Sequence, residues 1–528
     1  MATELNSQSK AGAGTRHYTE HDVLYPHLQN ECFSKILKTP QNKTRASRIV
    51  VVSNRLPVSL SRNGNGELQV RPGSGGLVTA LTPVLRKRHG LWIGWPGIGG
   101  ELSLNGQLVA AGERFGCVFK PVFLSEDEVK HYYLGFSNEV LWPWFHGLMS
   151  YCKLGTTHWA SYQAVNRKFA RAIADNTNQD DCIWVHDYQL LLAAGELRRI
   201  GSTQPVGFFL HTPFPSPNIF NKLPWNSYIL KALLEYDVIG FQTSQDKNNF
   251  ILCAEALAEG LQVTNGGRVS VITSGGHRTG AGVFPIGIDF DEFSRAAAQK
   301  PVRDMVEQLR KANGGRQIIL GVDRLDYSKG IPLRLQALWR ALERFEDLRG
   351  KVTLIQIVVP SREDIPEYQK LKAEIEGLVT RINGMFAGND WTPVQYMFRS
   401  LERSELLAYY RSASIALVTP LKDGMNLVAK EYCAANLGEN GVLILSKFAG
   451  AATQLRRNAL QVDPYDIEGV AKTIRRAFFM GTEERKSRMR KLRNLIRRRD
   501  IHWWADLFFQ TAEWSVGCYQ GLAKVTPL

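Results

Sequence analysis

The chain contains 528 residues, of which 44% are hydrophobic and 22% are charged. This composition is typical of a soluble globular protein, the length allows more than one domain, and no uninterrupted apolar stretch approaches a membrane span. Lys and Arg outnumber Asp and Glu by 65 to 50, which gives a net charge of +15. A positive net charge of this size is compatible with nucleic acid, acidic lipid or phosphorylated small molecules as partners, and it does not distinguish among them.

The beginning of the chain and its cysteines indicate a reducing compartment. Residues 1–47 are mostly polar without strong periodicity, so we predict an N-terminal tail that is not a secretory signal. The seven cysteines are scattered and form no CxxC pair, which argues against a disulfide framework or a zinc site. We therefore predict a cytoplasmic protein.

From Arg48 onward, short apolar runs alternate with longer amphipathic stretches. Continuous apolar strands that alternate with helices are typical of parallel sheets covered on both faces. The runs are too numerous for one sheet, so we predict an α/β protein with two doubly wound Rossmann-like domains facing a cleft. The eight clearest runs are 48–54, 182–188, 206–212, 238–243, 316–323, 352–361, 414–421 and 441–446.

The boundary between the two predicted domains lies near 284–290, where Pro285 and Gly287 interrupt the pattern. This position predicts an N-terminal domain of residues 48–285 and a C-terminal domain of residues 286–499. In open α/β sheets, ligands bind at the carboxyl ends of the strands. Polar residues stand at six predicted strand ends in this chain, which favours a cleft between the domains: Asn54-Arg55, His186-Asp187, His211, Arg324, Arg362 and Asp423.

The segment 321–330, "GVDRLDYSKG", places Arg324 and Lys329 five residues apart at the end of a strand. One turn can then present a forked guanidinium and a compact ammonium to the same anion, and a diphosphate suits that pair better than a single carboxylate. The alternative is a pair of surface ion pairs with Asp323 and Asp326. The spacing alone does not decide between them.

A second anion-binding feature is predicted in 421–432, "LKDGMNLVAKEY". Asp423-Gly424 ends a strand, and the free N–H groups at the start of the next helix can receive a phosphate. Asp423 and Glu431 flank that helix start, where carboxylates suit the hydroxyls of a sugar; the alternative is a helix cap and an ordinary surface Glu. Combined with the Arg/Lys loop, the segment favours a sugar nucleotide. The "SGGL" turn, 74–77, is a weaker signal for backbone that approaches the same diphosphate.

The segment 485–499 contains nine cations. We interpret it as the solvated face of a surface helix rather than as a nucleic-acid site, so no nucleic-acid partner is predicted.

Several segments together resemble the trehalose-phosphate synthases (UDP-forming). These are retaining glycosyltransferases with the two-Rossmann, B-type fold. The resemblance extends from about Arg48 to the "HWW" at 502–504 and is carried by "VVSNRLP", "GGLVTAL", "LWIGWPG", "YYLGFSNEVLWPWFH", "WVHDYQLLL", "GFFLHTPFPS", "GFQT", "RLDYSKG", "VVPSRED" and "LVTPLKDGMNLVAKEY". It also implies that a C-terminal helix within 500–528 packs back on the first domain.

Carried over residue by residue, the resemblance implies a site for UDP-glucose. Arg324 and Lys329 would bind the diphosphate, Glu431 the ribose, and Asp423 the glucosyl hydroxyls. Backbone near Leu401 would meet the uracil, and His211 would face the glucosyl ring. The remaining implied donor residues are Gly75, Gly76, Gly424, Met425, Asn426, Leu427 and Val428.

The resemblance also implies an acceptor site for glucose 6-phosphate and a set of catalytic residues. Asp187 would hold acceptor hydroxyls, and the phosphate would lie among Arg55, Tyr133, Trp142 and Arg362. The implied catalytic residues are Asp187, His211, Arg324, Lys329 and Asp423. No side chain of the family attacks the sugar, and the donor phosphate guides the acceptor in on the face that the nucleotide leaves.

We therefore predict synthesis of α,α-trehalose 6-phosphate and UDP without a cofactor or an essential metal. His186 and His211 lack a third ligand at metal spacing. Expected partners are the two substrates, a separate downstream phosphatase and a second copy of the chain, with no membrane partner. The alternatives are a different phosphorylated acceptor such as glycerol 3-phosphate, a catalytically silent regulatory subunit, and a nucleic-acid binder that uses 485–499. The loop 63–73 is longer than the family pattern requires.

Overall fold

Continuous apolar segments form the strands of two parallel sheets, as the alternating pattern predicts. The computed structural model describes residues 48–62, 68–73, 76–88, 90–98, 105–388 and 390–522. The predicted tail 1–47, Gly75 and part of the loop 63–73 lie outside these residues. Each of the eight apolar runs overlaps a strand, and the α/β fold with two parallel sheets is confirmed.

The first sheet has nine strands within the described residues, in the order β5-β4-β1-β6-β7-β8-β11-β10-β9. The strands are parallel except for β10, which runs antiparallel to both of its neighbours. The bounds are β1 Ile49–Arg55, β4 Leu91–Trp95, β5 Val118–Pro121, β6 Cys182–His186, β7 Val206–Phe209, β8 Val238–Phe241, β9 Gln262–Thr264, β10 Val269–Ser274 and β11 His277–Val283, and a separate hairpin joins β2 Val58–Arg62 to β3 Leu68–Pro72.

The helices of the first half cover this sheet and supply one wall of the cleft. A π-helical segment, Val129–Leu141, continues directly into Trp142–Phe145 and brings Tyr133 and Trp142 to that wall. The α-helices are α1 Gly76–Arg88, α2 Asn105–Phe115, α3 Glu126–Glu128, α4 Trp142–Phe145, α5 Thr156–Asn176, α6 Ala193–Arg199, α7 Pro217–Phe220, α8 Asn226–Leu233 and α9 Ser244–Leu257, with 3₁₀ turns at Met149–Tyr151 and Tyr188–Leu190.

The second sheet is entirely parallel, in the order β14-β13-β12-β15-β16-β17. Its strands are β12 Gln317–Arg324, β13 Val352–Val359, β14 Val394–Phe398, β15 Ile415–Val418, β16 Val442–Ser446 and β17 Leu460–Val462. Its helices are α10 Phe290–Ala298, α11 Lys300–Ala312, α12 Ile331–Arg344, α13 Pro366–Phe386, α14 Arg403–Ser412, α15 Leu427–Ala435, α16 Ala452–Leu455, α17 Ile467–Phe479, α18 Thr482–Arg498 and α19 Ile501–Leu522, with 3₁₀ turns at Tyr327–Lys329 and Glu346–Leu348.

The chain passes between the two sheets at two adjacent places. The Ile501 N–H donates to the Ile288 carbonyl at 3.1 Å, and a β-carbon on Gly287 would overlap the backbone of Asp500. Beyond this crossing, α19 packs on the first sheet: Trp504 Nε1 donates to the Phe284 carbonyl at 3.0 Å. Backbone contact therefore fixes the two crossing segments, around Ile288 and Ile501, against each other.

The basic segment 485–499 lies within α18 and its C-terminal cap, and it is not uniformly solvated. Arg485 and Arg493 are buried. Arg485 donates to the last carbonyls of α17, and Arg493 to those of α15, where backbone acceptors lack helical partners. The surface-face prediction is therefore wrong for these two arginines. None of the described helices has the length and apolar character that a bilayer crossing requires.

Candidate active site

The Arg/Lys loop of the second sheet is held in one conformation by its own side chains. After β12 ends at Arg324, Asp326 accepts from the Ser328 N–H at 3.0 Å and begins a single 3₁₀ turn. Gly330 then adopts a left-handed conformation, φ 65°, and α12 begins. The Leu421 N–H donates to the Ser328 carbonyl at 2.8 Å, which joins this loop to the segment containing Asp423.

Lys329 and Asp423 form a close pair at the centre of the site. Lys329 Nζ lies 2.6 Å from Asp423 Oδ2, and Asn426 Nδ2 donates to the same oxygen at 3.1 Å. Burial alone would raise the pKa of Asp423, but Lys329 and these hydrogen bonds hold it below its usual value. Asn426, at φ 67°, also caps α15 by accepting from the Ala429 N–H. The hydrogen bonds of Asn426 therefore fix the charged Lys329–Asp423 pair at the start of α15.

The alternative of ion pairs with Asp323 and Asp326 applies only in part. Arg324 lies 3.7 Å from Asp326 and remains half-exposed, whereas Lys329 pairs with Asp423 instead. Asp323 is paired with Arg334, a fully buried residue of α12. Arg324 therefore keeps a guanidinium face open to the cleft.

Arg334 is the residue that the sequence interpretation missed at this loop. Its guanidinium donates to the Lys329 carbonyl at 3.3 Å and to Thr419 Oγ1 at 2.9 Å, and it also contacts Gln356 at 3.1 Å. A buried, fully bonded arginine is a rigid anchor, so Arg334 fixes the backbone that carries Lys329. The only sequence signal is a cation on the apolar face of "IPLRLQAL", 331–338.

A second cationic group surrounds Trp142. Arg362 Cζ lies 4.4 Å from the Trp142 ring centroid, and Arg324 Cζ lies 5.5 Å from it. The indole Nε1 donates to Asp326 Oδ1 at 3.3 Å. Asp326 is fully buried; burial would raise its pKa, but Lys329, Arg362 and Arg324 together hold it below its usual value. Asp326 therefore acts as a fixed anion that organises three cations, a role that its sequence position did not reveal.

Arg362 is held in a strained backbone conformation, with φ 53°. Its side chain donates to the Tyr368 hydroxyl at 2.6 Å and to the Tyr188 hydroxyl at 3.2 Å, so it joins the two halves of the molecule. Its buried Nε has no hydrogen-bond partner within the described residues. Strained residues and unpartnered buried donors cluster at functional sites.

Arg55 and Tyr133 lie together against Trp95. Arg55 Cζ lies 4.6 Å from the Trp95 ring, and Tyr133 packs edge-on to that ring at 5.5 Å. Gly97, with φ 96°, lets the backbone approach the guanidinium, where a β-carbon would overlap it. Tyr133 lies within electrostatic range of both Arg55 and Arg362, which places the three residues in one neighbourhood.

The strand ends of the first sheet bring two histidines and a carboxylate together. His186 Nδ1 lies 3.0 Å from His211 Nε2, and Asp187 Oδ1 accepts from the His211 N–H at 3.1 Å. A β-carbon on Gly424 would overlap the His211 carbonyl oxygen, so the Asp423 segment meets this strand end in direct backbone contact. The two predicted halves of the site are therefore adjacent.

The remaining predicted donor residues lie at the start of α15 and beyond it. Gly76 begins α1, and a β-carbon there would lie 3.1 Å from the Leu427 side chain. Glu431, one turn into α15, accepts from the Tyr410 hydroxyl at 2.8 Å, and burial raises its pKa. Met425 is buried and Val428 is partly buried at the same helix start. Leu401 packs on the core in the loop after β14, and no hydrogen bond within the described residues joins it to this group.

Burial raises the pKa of Asp187 to about 6. This pKa lies above the unfolded value of about 3.9, so the folded state favours the protonated carboxyl group. The stability that Asp187 contributes is therefore fully present below pH 4 and is lost as the carboxyl group ionises while the pH rises through 6. We expect Asp187→Asn to gain stability relative to wild type, on the order of 2 kcal/mol, between pH 4.5 and 7.5. Thermal unfolding of both proteins at the two pH values measures this; an equal Tm difference at both would contradict it.

No group of three or more His, Cys, Asp or Glu side chains in the described part of the chain is arranged to hold a metal ion. The positive charge of the site comes from Arg55, Arg324, Lys329 and Arg362. These cations lie on both sides of a cleft in which two of the carboxylates, Asp423 and Asp326, are already engaged by cations. Such an arrangement suits two phosphate-bearing ligands in one cleft.

Comparison with known sequences gives a consistent result. The sequence model of glycosyltransferase family 20 matches residues 47–513. The chain is 39% identical to α,α-trehalose-phosphate synthase [UDP-forming] A of Dictyostelium discoideum, over 88% of this chain and 62% of that protein. It is 38% identical to trehalose-6-phosphate synthase of Mycolicibacterium vanbaalenii, over 89% and 96%. It is 39% identical to the bifunctional trehalose-6-phosphate synthase/phosphatase of Thermoproteus tenax, over 87% and 63%.

The chain therefore spans less than two thirds of the Dictyostelium and Thermoproteus proteins and almost all of the mycobacterial one. Among solved structures, an α,α-trehalose-phosphate synthase (UDP-forming) from Burkholderia xenovorans in complex with glucose 6-phosphate aligns with a TM-score of 0.79 at 35% identity, over 88% of this chain and 100% of that one. A relative from E. coli bound with UDP-2-fluoro glucose aligns with a TM-score of 0.79 at 36% identity, over 91% and 100%. These neighbours confirm the predicted glycosyltransferase B-type fold.

Proposed function

Because this chain belongs to glycosyltransferase family 20, we propose that it is an α,α-trehalose-phosphate synthase that transfers glucose from UDP-glucose to glucose 6-phosphate. The products are α,α-trehalose 6-phosphate and UDP. The observation that carries this proposal is the convergence of Arg324, Lys329 and Arg362 around the buried Asp326, beside the Lys329–Asp423 pair. One cleft thereby offers separate cations to a diphosphate and to a phosphomonoester.

On the donor side, Arg324 and Lys329 bind the diphosphate of UDP-glucose. The half-exposed Arg324 guanidinium supplies forked donors, and Lys329 supplies a point charge next to the free N–H groups of Leu427 and Val428. Asp423 and Glu431 accept from sugar hydroxyls, because both carboxylates lie beside the start of α15. Backbone at Gly76, Gly424, Met425 and Asn426 completes this wall, and backbone near Leu401 meets the uracil.

On the acceptor side, Arg362 and Arg55 bind the phosphate of glucose 6-phosphate, with Tyr133 and Trp142 around it. The support is that Tyr133 lies within electrostatic range of both guanidinium groups and that Arg362 has a buried Nε without a partner among the described residues. Asp187, at the end of β6, holds acceptor hydroxyls. His211 faces the glucosyl group between the two sides.

The mechanism retains the configuration at the transferred carbon. A double displacement through the protein would need a free carboxylate close to that carbon. Asp423, the carboxylate nearest the donor cations, is bonded to Lys329 and Asn426 and is suited to binding hydroxyls. We therefore assign the reaction to same-face attack guided by the donor phosphate, in which Lys329 and Arg324 stabilise the charge that develops on the departing diphosphate.

The test is product analysis with the purified chain, glucose 6-phosphate and UDP-, GDP- or ADP-glucose in turn. We expect one phosphorylated disaccharide whose fresh proton NMR spectrum shows an α,α linkage. A β linkage, or a covalent glucosyl adduct on Asp423 or Glu431, would contradict the mechanism. Turnover of glycerol 3-phosphate in preference to glucose 6-phosphate would favour the other acceptor, and absence of turnover would favour a regulatory subunit.

The wider setting of the reaction stays a prediction. We propose that UDP-glucose acts as a substrate and not as a resident cofactor, that a separate phosphatase removes the phosphate, and that the protein forms homo-oligomers in the cytoplasm. Phosphate release by the purified chain tests the second statement, and light scattering tests the third. The domain boundaries at 285/286 and 499/500 are likewise proposals, which limited proteolysis tests.

A further inference from the structure

A buried histidine stands directly behind His211. His186 is completely buried at the end of β6, and its Nδ1 lies 3.0 Å from His211 Nε2. Trp504 of α19 covers the pair from behind, with ring centroids 6.2 Å from His211 and 6.4 Å from His186. Burial lowers the pKa of His211 to about 3 and that of His186 well below its usual value, so both rings are neutral at physiological pH.

Two neutral imidazoles can share this hydrogen bond in only two ways. If His186 donates from Nδ1, His211 accepts at Nε2 and carries its own proton on Nδ1. If His211 donates from Nε2, its Nδ1 is a bare acceptor, and the proton of His186 must then lie on Nε2. The two arrangements therefore present opposite groups to a ligand beside His211, namely a donor or an acceptor.

The surroundings of His186 Nε2 decide between the two arrangements. That nitrogen is buried and has no hydrogen-bond partner within the described residues, and the same is true of Trp184 Nε1. The two rings are neighbours, with centroids 4.5 Å apart. An indole nitrogen always carries a proton, so a protonated His186 Nε2 would place two buried, unpaired donors side by side. Orphaned buried N–H groups are rare, and a bare Nε2 avoids the second one.

We propose that His186 is a positioning residue that donates from Nδ1 and thereby holds the proton of His211 on Nδ1. His211 then presents a fixed, neutral N–H donor to an oxygen of the glucosyl group. This inference rests on the proposed function for the identity of that ligand, but the tautomer itself is a property of the free protein. A neutral donor also suits the reaction, because a charged imidazolium would repel the positive charge that develops on the sugar ring.

The first test is spectroscopic and needs no substrate. Nitrogen-15 NMR of ¹⁵N-histidine-labelled full-length protein distinguishes the two neutral tautomers and the charged ring, and the His211 signals are assigned by their loss in His211→Gln. We expect the wild-type His211 to carry its proton on Nδ1. A wild-type His211 protonated on Nε2, or on both nitrogens, would overturn the proposal, whatever the protein is found to catalyse.

The second test uses two variants of nearly equal shape and opposite hydrogen-bond polarity, of which the Asp variant also adds a carboxyl charge. His186→Asn places an amide N–H where the imidazole Nδ1–H stands, whereas His186→Asp places an acceptor there. We expect His211 to keep the Nδ1 proton in the Asn variant and to gain an Nε2 proton in the Asp variant. We expect kcat of His186→Asp to fall by about ten- to a hundredfold relative to His186→Asn, with the KM for glucose 6-phosphate unchanged.

Equal kcat in the two variants, with Tm values within the same range, would mean that His186 only fills space and would overturn the proposal. If the Asp variant does not fold, the wild-type and Asn tautomers still decide the matter. If the tautomers follow the expectation but the purified protein makes no phosphorylated disaccharide, then the proposed function fails and the positioning role remains. The two conclusions are thereby separated.

Discussion

Replacing Lys329 with methionine is expected to lower kcat by a factor of about 10²–10³ while the protein stays folded. In the proposed site the ammonium contacts the leaving diphosphate, and the substitution removes this contact, which would strengthen as negative charge develops in the transition state. The change also leaves the carboxylate of Asp423 without its partner at 2.6 Å. The fold is expected to persist, because Arg334 holds the loop through the backbone carbonyl of residue 329, which the substitution keeps.

The matched control is Lys300→Met, which breaks a Lys–Asp pair of similar length, 2.7 Å to Asp304, on the exposed face of α11. An exposed pair of this kind contributes little, so kcat of the control should equal that of wild type. Steady-state kinetics with varied UDP-glucose, together with Tm, measure both variants. The companion Arg324→Ala is expected to behave like Lys329→Met. Near-normal kcat in both of these variants would show that the diphosphate binds elsewhere.

The sequence predicted the sheets because their signal is local. Each of the eight predicted strands lies in a largely apolar run that is visible without any long-range information, whereas parallel strands such as β11 (HRTGAGV) and β14 (VQYMF) contain polar residues and lack this signal. Strand-end residues such as Arg324 and His211 follow from the same pattern, since ligands bind at the carboxyl edges of parallel sheets. The α/β fold with two parallel sheets was therefore predictable from the residues, and the resemblance added the proposed substrates.

The partners within the site were not predictable, because they are set by tertiary contacts. Lys329 pairs with Asp423, 94 positions away, and not with the aspartates beside it. Arg334 has the spacing of an ordinary helix residue, yet it lies in the core and anchors the Lys329 loop. A charge pattern likewise does not show which cations are buried. Arg485 and Arg493 cap other helices, yet nothing in the sequence of 485–499 distinguishes them from cations in solvent.

Removing the proposed acceptor cations, Arg55 and Arg362, is expected to reduce the preference for glucose 6-phosphate over glucose. Arg55 belongs to the first half and Arg362 to the second, and Tyr133 lies within electrostatic range of both, so the proposed acceptor phosphate would bridge the two halves. In the proposed function such a phosphate would stabilise a closed cleft, and closure would bring the proposed donor and acceptor sites together. Free glucose lacks this group, so it is expected to lose kcat as well as affinity.

The measurement is kcat/KM for both acceptors with wild type, Arg362→Ala, Arg362→Lys and Arg55→Ala. The wild-type preference should fall by about ten- to a hundredfold in Arg362→Ala, the loss expected for a charge-assisted contact, and Lys should restore it only in part because an ammonium cannot form the forked contact. Arg349→Ala is the control: that arginine stacks over Phe386 at 5.8 Å, near the opposite end of β13. An unchanged preference in all three site variants would place the acceptor phosphate elsewhere. A reduced preference with kcat for glucose 6-phosphate unaffected would show that these arginines bind the phosphate without coupling it to closure.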